Sequence, residues 1–141
     1  MARRLGKEMK RLAEHERYEH LRSYATVKFD PINILDIDIV VKSNRYERPI
    51  HFTVKCPAEY PFKPPAINFG IKKLWHPNVE YEGGVICTDL VDWGPTKNIG
   101  DIVKLVSNIL CAPSLDNVVN AEAALEYTNN KEGFYAKSNL L

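Results

Sequence analysis

The sequence contains 141 residues, 45% of them hydrophobic. This composition provides enough apolar material for one core, and the chain is too short for two ordinary domains. We therefore predict a single domain over residues 1–141. Basic residues number 19 and acidic residues 18, so no overall charge favours nucleic acid or an anionic membrane as a partner. No continuous apolar stretch follows the basic N-terminus, so neither a signal peptide nor a transmembrane helix is indicated, and we expect a soluble protein of the cytoplasm, the nucleus or both.

The first predicted element is an amphipathic helix from Arg3 to about His15. Apolar residues at helical spacing form one face, and basic residues occupy the others. The apolar positions are Leu5, Met9, Leu12 and Ala13, and the basic positions are Arg3, Arg4, Lys7, Lys10 and Arg11. The helix is therefore expected to present a basic surface to solvent.

Four strand-like segments follow, over residues 24–29, 33–41, 49–56 and 66–71. The second and third alternate apolar and polar residues, so each should bury one face of a sheet. The connections are too short for crossover helices, so the strands should form a consecutive antiparallel meander.

Two segments lack a regular period. Residues 60–65 read YPFKPP, and because proline fixes backbone angles and removes hydrogen-bond donors, we predict a rigid extended turn with Phe62 exposed at its tip. Residues 75–95 contain aromatic, Gly and Pro residues without a sustained repeat. Long irregular segments of compact domains are often functional, so this second segment is where we expect the chemistry.

The remainder of the chain is predicted to be helical. Asn98 is placed to cap a helix that should stop by Pro113, with Asp101 near its positive end. Its apolar stripe comprises Ile99, Ile102, Val106 and Ile109. A short alanine-rich helix should run from beyond Asn120 to about residue 128, and residues 132–138 could add one final turn or two. A leading helix, a meander and later helices favour the α+β class.

Three cysteines, Cys56, Cys87 and Cys111, are widely spaced and form no CxxC pair. An odd number of dispersed thiols is a poor disulfide framework, so a reducing compartment is expected. Cys56 falls on the apolar phase of a predicted strand and Cys111 ends an apolar helix. We therefore interpret both as buried small hydrophobes, whereas Cys87 falls in the irregular segment over residues 75–95, where access is expected.

Short motifs surround Cys87. They are His76-Pro77-Asn78, then Gly83-Gly84-Val85-Ile86-Cys87, then Trp93-Gly94-Pro95. With the preceding YPFKPP and the late ALEYTNNKEGFY, they resemble the signature of the ubiquitin-conjugating enzymes. The resemblance extends from the first helix to about Ser138, and it implies the ubiquitin-conjugating fold and a single catalytic domain.

The resemblance implies a transferase with a thioester intermediate. Cys87 would accept ubiquitin from an activating enzyme and pass it to a lysine or to a ligase cysteine. Exchange of one thioester for another changes little in energy and needs access more than a strong base. The family role of Asn78 is to donate a hydrogen bond to the oxyanion, whereas His76 and Pro77 hold the loop.

Other uses of a cysteine and a histidine are not favoured. The papain-type sequence around a catalytic cysteine is absent, and a zinc site of Cys87 and His76 lacks two further ligands at credible spacing. No metal or cofactor is expected, because no phosphate-binding glycine loop is present and the activating enzyme uses the ATP in this family. The alternatives are a conjugating enzyme for another ubiquitin-like modifier and a non-catalytic binding module of the same fold. Ubiquitin is preferred because the domain lacks the N-terminal extension that some relatives for other modifiers carry.

One departure from the family pattern affects the lysine gate. Many members carry two adjacent aspartates after the helix that follows the active site, whereas this chain reads Asp116-Asn117-Val118-Val119. An amide can hydrogen-bond to an incoming lysine but cannot accept its proton near neutral pH. With Asn117 at the gate, we expect weak direct transfer to lysine, with Asp116 or Asp89 as the substitute acids.

The resemblance also implies partners. The basic face of the first helix, formed by Arg3, Arg4, Lys7, Lys10 and Arg11, is similar to the surface that family members present to the activating enzyme and to ligases. Phe62 with Pro95 and Thr96 resembles the paired loops that dock RING-type ligases. We further expect protein substrates, a monomer, and neither a nucleic-acid nor a membrane partner.

Overall fold

The computed structural model of the protein describes residues 2–30, 32–70 and 72–140. Helices come first and last in the chain, and an antiparallel sheet lies between them. The elements are α1 (Ala2–Glu14), a 3-10 turn (Glu16–Tyr18), α2 (Glu19–Tyr24), β1 (Ala25–Phe29), β2 (Asp36–Val41), β3 (Ile50–Lys55), β4 (Ala66–Asn68), α3 (Thr88–Val91), α4 (Ile99–Cys111), α5 (Ala121–Asn129) and α6 (Lys131–Leu140). The predicted α+β class is confirmed.

The sheet has the strand order β1-β2-β3-β4 with antiparallel neighbours, so the predicted meander is confirmed. Ile39 of β2 lies opposite Val27 of β1 and Phe52 of β3. Alternate residues of β2 and β3 are buried, as a period of two requires. The other face is charged, with Lys28 opposite Asp38 across β1 and β2. The sheet therefore buries one face only.

The strands are shorter than the sequence pattern predicts. Residue 24 ends α2 instead of beginning β1. The amide of Asp36 donates to the Asn33 carbonyl at 3.1 Å, so residues 33–35 form a turn ahead of β2. The Phe69 amide donates to the Gly84 carbonyl at 2.8 Å, which takes the chain away from β3 and ends β4 at Asn68. The predicted strand end at Ile71 lies outside the described residues.

The first helix agrees with its prediction to within a residue at each end. Leu5, Met9 and Leu12 are buried, but Ala13 is exposed because it lies at the edge of the apolar stripe. The 3-10 turn, α2 and α3 were not predicted. Each spans only one or two turns, which is too short for a helical repeat to show in the sequence.

The fourth helix lies at the centre of the core and contacts α1, α2 and β2. The Asn98 side chain accepts a hydrogen bond from the Asp101 amide at 3.0 Å, and the Asp101 carboxylate accepts one from the Asn98 amide at 2.9 Å. This capping box confirms the predicted start of the helix. The predicted apolar stripe is buried throughout, at Ile99, Ile102, Val106 and Ile109.

The last two helices hold a tryptophan that directly precedes the His76 motif. Trp75 packs in a small cluster with Ala123 of α5 and Phe134 of α6, and its indole nitrogen donates to Glu126 at 3.0 Å. The α6 helix is longer than predicted, and its buried Ser138 donates to the Trp75 carbonyl at 2.8 Å. These contacts fix the position of Trp75, the residue immediately before the His76 motif. None of the helices in the described part of the chain has the length and apolar character needed to cross a membrane.

Candidate active site

A tight hairpin brings the two central motifs together. Val79 pairs with Ile86, and the Gly84 amide donates to the Glu80 carbonyl at 2.7 Å across the turn. Gly84 has a φ of +73°, and a Cβ there would lie 2.3 Å from the Gly70 nitrogen, so a side chain is excluded at this position. Residues 78 and 87 flank the Val79–Ile86 pair, so Asn78 and Cys87 come together at the open end of the hairpin.

The three cysteines differ in access. Cys87 is half-buried and occupies the position directly before α3 in an extended conformation (φ −65°, ψ 132°). Cys56 is 2% exposed, and burial, followed by the nearby Glu8 and Asp36 carboxylates, raises the pKa of its thiol to about 12. Its predicted burial is confirmed, and it is unsuited to nucleophilic attack.

Cys111 was predicted to be buried, and this prediction is wrong. It ends α4 on the solvent face, in helical phase with the exposed Lys104 and Asn108. Its sulfur lies 4.0 Å from the Ser43 hydroxyl. The thiols of Cys87 and Cys111 are therefore both accessible, and accessibility alone does not identify the reactive one. The residues around Cys87 provide that distinction.

The histidine of the motif is completely buried and both ring nitrogens are engaged. Its Nε2 lies 2.7 Å from the Ile109 carbonyl of α4, and its Nδ1 accepts a hydrogen bond from the Asn78 amide at 3.0 Å. These partners require a proton on Nε2 and none on Nδ1. Burial lowers the pKa of His76 to about 4, the bond to Ile109 opposing this shift. The ring is therefore neutral, and its hydrogen bonds link the loop to α4.

The neutral ring makes stability depend on pH. Unfolding returns the pKa of His76 to about 6.5, so its contribution is fully present above pH 6.5 and is lost as the pH falls toward 4. Between pH 7.5 and 5.0 we expect this group to lower the free energy of unfolding by about 2 kcal/mol. Urea titrations of the wild type and of His76→Gln at both pH values measure this contribution. An equal pH dependence in the two proteins would contradict it.

Asn78 is also completely buried, and both hydrogens and the oxygen of its side-chain amide are hydrogen-bonded. Its Nδ2 donates to the Ser114 carbonyl at 2.6 Å and to the Asn117 carbonyl at 3.0 Å, while its Oδ1 accepts from the Ser114 amide at 2.8 Å. The Pro77 carbonyl accepts from the amides of Val119 and Asn120. The motif is thus bound to the segment that carries the predicted lysine gate.

The predicted gate residues lie on this segment and on α3. Asn117 is half-buried, and its amide nitrogen donates to the Ser114 hydroxyl at 3.1 Å. Asp116 is exposed. Asp89 is exposed on α3, two residues after Cys87. The structure therefore brings Asn117 next to Asn78 through the shared Ser114.

The two predicted docking loops lie together. Phe62 is 78% exposed, as predicted, and the Trp93 indole nitrogen donates to the Pro61 carbonyl at 2.7 Å. Between the loops is an open cleft of about 560 Å³ whose lining residues are Phe62, Pro64, Pro65, Asp89, Val91, Asp92, Trp93, Gly94 and Pro95. Thr96 is exposed but does not line this cleft.

The predicted basic face of α1 is only partly a free surface. Arg3, Lys7, Lys10 and Arg11 are exposed. Arg4 was also expected on the exposed face but is half-buried, because its guanidinium donates to the carbonyls of Pro95 and Lys97 and to Glu8. Glu8 was not identified from the sequence, although its spacing of three and four residues from Leu5 and Leu12 marks an acid beside the apolar stripe. Among the described residues, no group of three His, Cys, Asp or Glu side chains is arranged to hold a metal ion.

Comparison with known proteins gives consistent results. The family model described as ubiquitin-conjugating enzyme matches residues 4–140. Ubiquitin conjugating enzyme E2 B of Dictyostelium discoideum is 34% identical over 82 residues, 57% of this chain and 55% of that protein. Ubiquitin-conjugating enzyme E2 3 of Arabidopsis thaliana is 34% identical over 90 residues, 62% of this chain and 56% of that protein. The chain thus spans about half the length of the curated relatives it matches.

A solved structure gives the same fold. It is described as a candidate ubiquitin conjugating enzyme from Plasmodium yoelii, and it is 24% identical with a TM-score of 0.81, covering 97% of this chain and 89% of that one. At this identity the similarity concerns the fold alone. Because the family model matches almost the entire sequence, the chain belongs to the ubiquitin-conjugating enzyme family.

Proposed function

We propose that this chain is an active conjugating enzyme that carries ubiquitin as a thioester on Cys87 and transfers it to a lysine or to a ligase cysteine. One observation supports the choice of thiol: Cys87 is partly accessible at the open end of the hairpin, beside Asn78. Family membership and the names of both relatives support ubiquitin as the modifier.

Loading is a thiol exchange. The Cys87 thiolate attacks the carbonyl carbon of the thioester on the activating enzyme, so a new carbon–sulfur bond forms and the old one breaks. The cysteine of the activating enzyme leaves as a thiolate, and one thioester replaces another. No strong base is required, which agrees with a neutral His76 whose ring nitrogens are both hydrogen-bonded.

Discharge requires a donor for the oxyanion. When an amine attacks the thioester on Cys87, negative charge develops on the carbonyl oxygen, and a positioned amide stabilises it. Both Nδ2 hydrogens of Asn78 are directed to carbonyls, of Ser114 and Asn117. We therefore propose that, in the reacting complex, one Nδ2 hydrogen of Asn78 leaves its carbonyl partner and donates to the oxyanion. The hydrogen bond from the Ser114 amide to Oδ1 is retained.

The test of this function is thioester formation. The protein is incubated with activating enzyme, ATP and ubiquitin, and the products are separated on a gel without reducing agent. We expect an adduct of one ubiquitin that thiol removes and that peptide mapping locates at Cys87. Absence of an adduct with ubiquitin, and with each related modifier and its own activating enzyme, would contradict a conjugating function.

The altered gate gives a separate prediction. Asn117→Asp supplies a proton acceptor where the amide has none, and the Ser114 hydroxyl can reverse to donate to it. We expect discharge of the loaded protein to free lysine to rise by about tenfold or more. Single-turnover gels at fixed pH measure the rate, and Asn117→Ala, which adds no proton acceptor, is the control. An equal rate in the Asp variant and the wild type would contradict the proposed gate.

A further inference from the structure

A carboxylate on the first helix is at the centre of a hydrogen-bond cluster. The Glu8 side chain is only 12% exposed. Both of its oxygens lie 2.8 Å from the Tyr60 hydroxyl, Oε1 accepts from the Ile99 amide at 3.0 Å, and Oε2 accepts from Arg4 Nε at 3.1 Å. A carboxylate can accept from several donors at once, which a side chain with fewer lone pairs cannot do equally well.

The second member of the cluster extends it to a loop. Arg4 Nη2 donates to the Pro95 carbonyl at 3.1 Å and to the Lys97 carbonyl at 2.9 Å, and its guanidinium carbon lies 5.6 Å from the centre of the Tyr60 ring. The planar guanidinium can serve these carbonyls and Glu8 together. The first helix is therefore bonded both to the YPFKPP loop, through Tyr60, and to the loop over residues 93–98.

These are the loops that line the cleft beside Phe62. Neither loop has regular secondary structure, so side-chain contacts determine their relative position. One direct link is the hydrogen bond from Trp93 to the Pro61 carbonyl, and the rings of Tyr60 and Trp93 also pack at 5.6 Å between centres. The Glu8 cluster joins both loops to a helix that is anchored in the core by Leu5 and Met9.

We propose that Glu8 is a positioning residue for ligase-stimulated transfer. With Arg4, it fixes the two loops that line the cleft, which resemble the paired loops that dock RING-type ligases, and it thereby sets the affinity of the cleft for a RING domain. The inference rests on the proposed conjugating function, because the cleft matters to transfer only in a protein that loads ubiquitin. Binding to a preformed surface avoids the entropic cost of ordering loops at the moment of association.

The experiment compares two matched substitutions on one helix. Glu8→Gln removes the charge from the cluster with little change in size. Glu14→Gln makes the same change at an exposed position in the last turn of α1, where the described residues show no hydrogen bond to either loop. Tyr60→Phe removes one donor from the cluster and leaves Glu8 charged. RING domains that accelerate ubiquitin discharge from the loaded wild type serve as probes.

The main readout is the RING concentration that gives half-maximal acceleration. We expect Glu8→Gln and Tyr60→Phe to raise it about three- to tenfold, as weakening one charge-assisted hydrogen bond predicts, with a smaller change in the rate at saturation. Glu14→Gln should match the wild type. Amide hydrogen exchange of the free proteins should be faster at Ile99 in Glu8→Gln, because its bond to the carboxylate is weakened.

The outcomes separate this inference from the proposed function. Unchanged half-maximal concentration in Glu8→Gln, or an equal change in Glu14→Gln, would overturn the positioning role. If the wild type formed the thioester but no RING domain accelerated ubiquitin discharge from it, the proposed role of the cleft in ligase-stimulated transfer would be overturned. A wild type that forms no thioester would contradict the proposed function instead, and unchanged exchange at Ile99 in Glu8→Gln would then still overturn the role of Glu8 in holding the loops.

Discussion

Cys87→Ser is expected to convert the thiol-sensitive ubiquitin adduct into an oxyester that reducing agent leaves intact and hydroxide cleaves. The serine oxygen occupies nearly the same position as the sulfur, so it can attack the same carbonyl carbon, but an alkoxide is far harder to form than a thiolate. Loading should therefore be slower, and the product should transfer ubiquitin poorly because an ester is a weaker acyl donor than a thioester. Gels with and without thiol, and after alkali, distinguish the two bonds.

The exposed Cys111 is the matched control. Cys111→Ser should load at the wild-type rate with a thiol-sensitive bond, and Cys87→Ala should form no adduct although Cys111 is available. An adduct that persists in Cys87→Ala and disappears in Cys111→Ser would assign the carrier thiol to the end of α4. Cys56 needs no separate variant, because burial raises the pKa of its thiol to about 12.

Asn78→Ala is expected to lower both stability and the rate of discharge. The substitution removes three partly buried hydrogen bonds and leaves the Ser114 amide and two carbonyls without these partners. We expect the free energy of unfolding to fall by about 2 to 4 kcal/mol, and the single-turnover discharge rate to fall by about two to three orders of magnitude. Urea titration measures the first effect. Discharge of the preloaded protein to lysine, well below the unfolding temperature, measures the second.

A control separates the oxyanion donor from support of the loop. Ser114→Ala removes the hydroxyl that accepts from Asn117 and so loosens the same segment, while the Asn78 amide stays in place. Its discharge rate should stay within about threefold of the wild type, consistent with loss of one partly exposed hydrogen bond. If both variants lost discharge equally, or if Asn78→Ala lost less than about tenfold, the amide would act only as structural support.

Three regions form one connected frame around Cys87. His76 joins the hairpin to α4, and Asn78 joins it to the segment that carries Asn117. Trp75, immediately before the hairpin, is held by α5 and α6. The hydrogen-bonding groups in this frame are mostly buried and paired. We therefore expect single substitutions to displace the hairpin slightly and so to change the position of the Cys87 thiol.

The sequence by itself determined the features that depend on a long period or on a local motif. The first helix, the alternation of β2 and β3 and the capping box of α4 follow from repeats or from residues close in the chain. The family resemblance followed from five motifs in order along the chain. The reactive cysteine was assigned by its context, and that assignment stays a prediction until the thioester is tested.

Only the tertiary structure decided what depends on contacts between distant residues. The last strand ends at Asn68 because Phe69 pairs with the hairpin, and no local signal encodes that choice. Glu8 contacts Ile99, and Asn78 contacts Ser114, across long separations in the chain, so the hydrogen-bond partners of these two side chains were not predictable from spacing. Cys111 is exposed because neighbouring elements cover only one face of α4, and the sequence alone does not show where that cover ends.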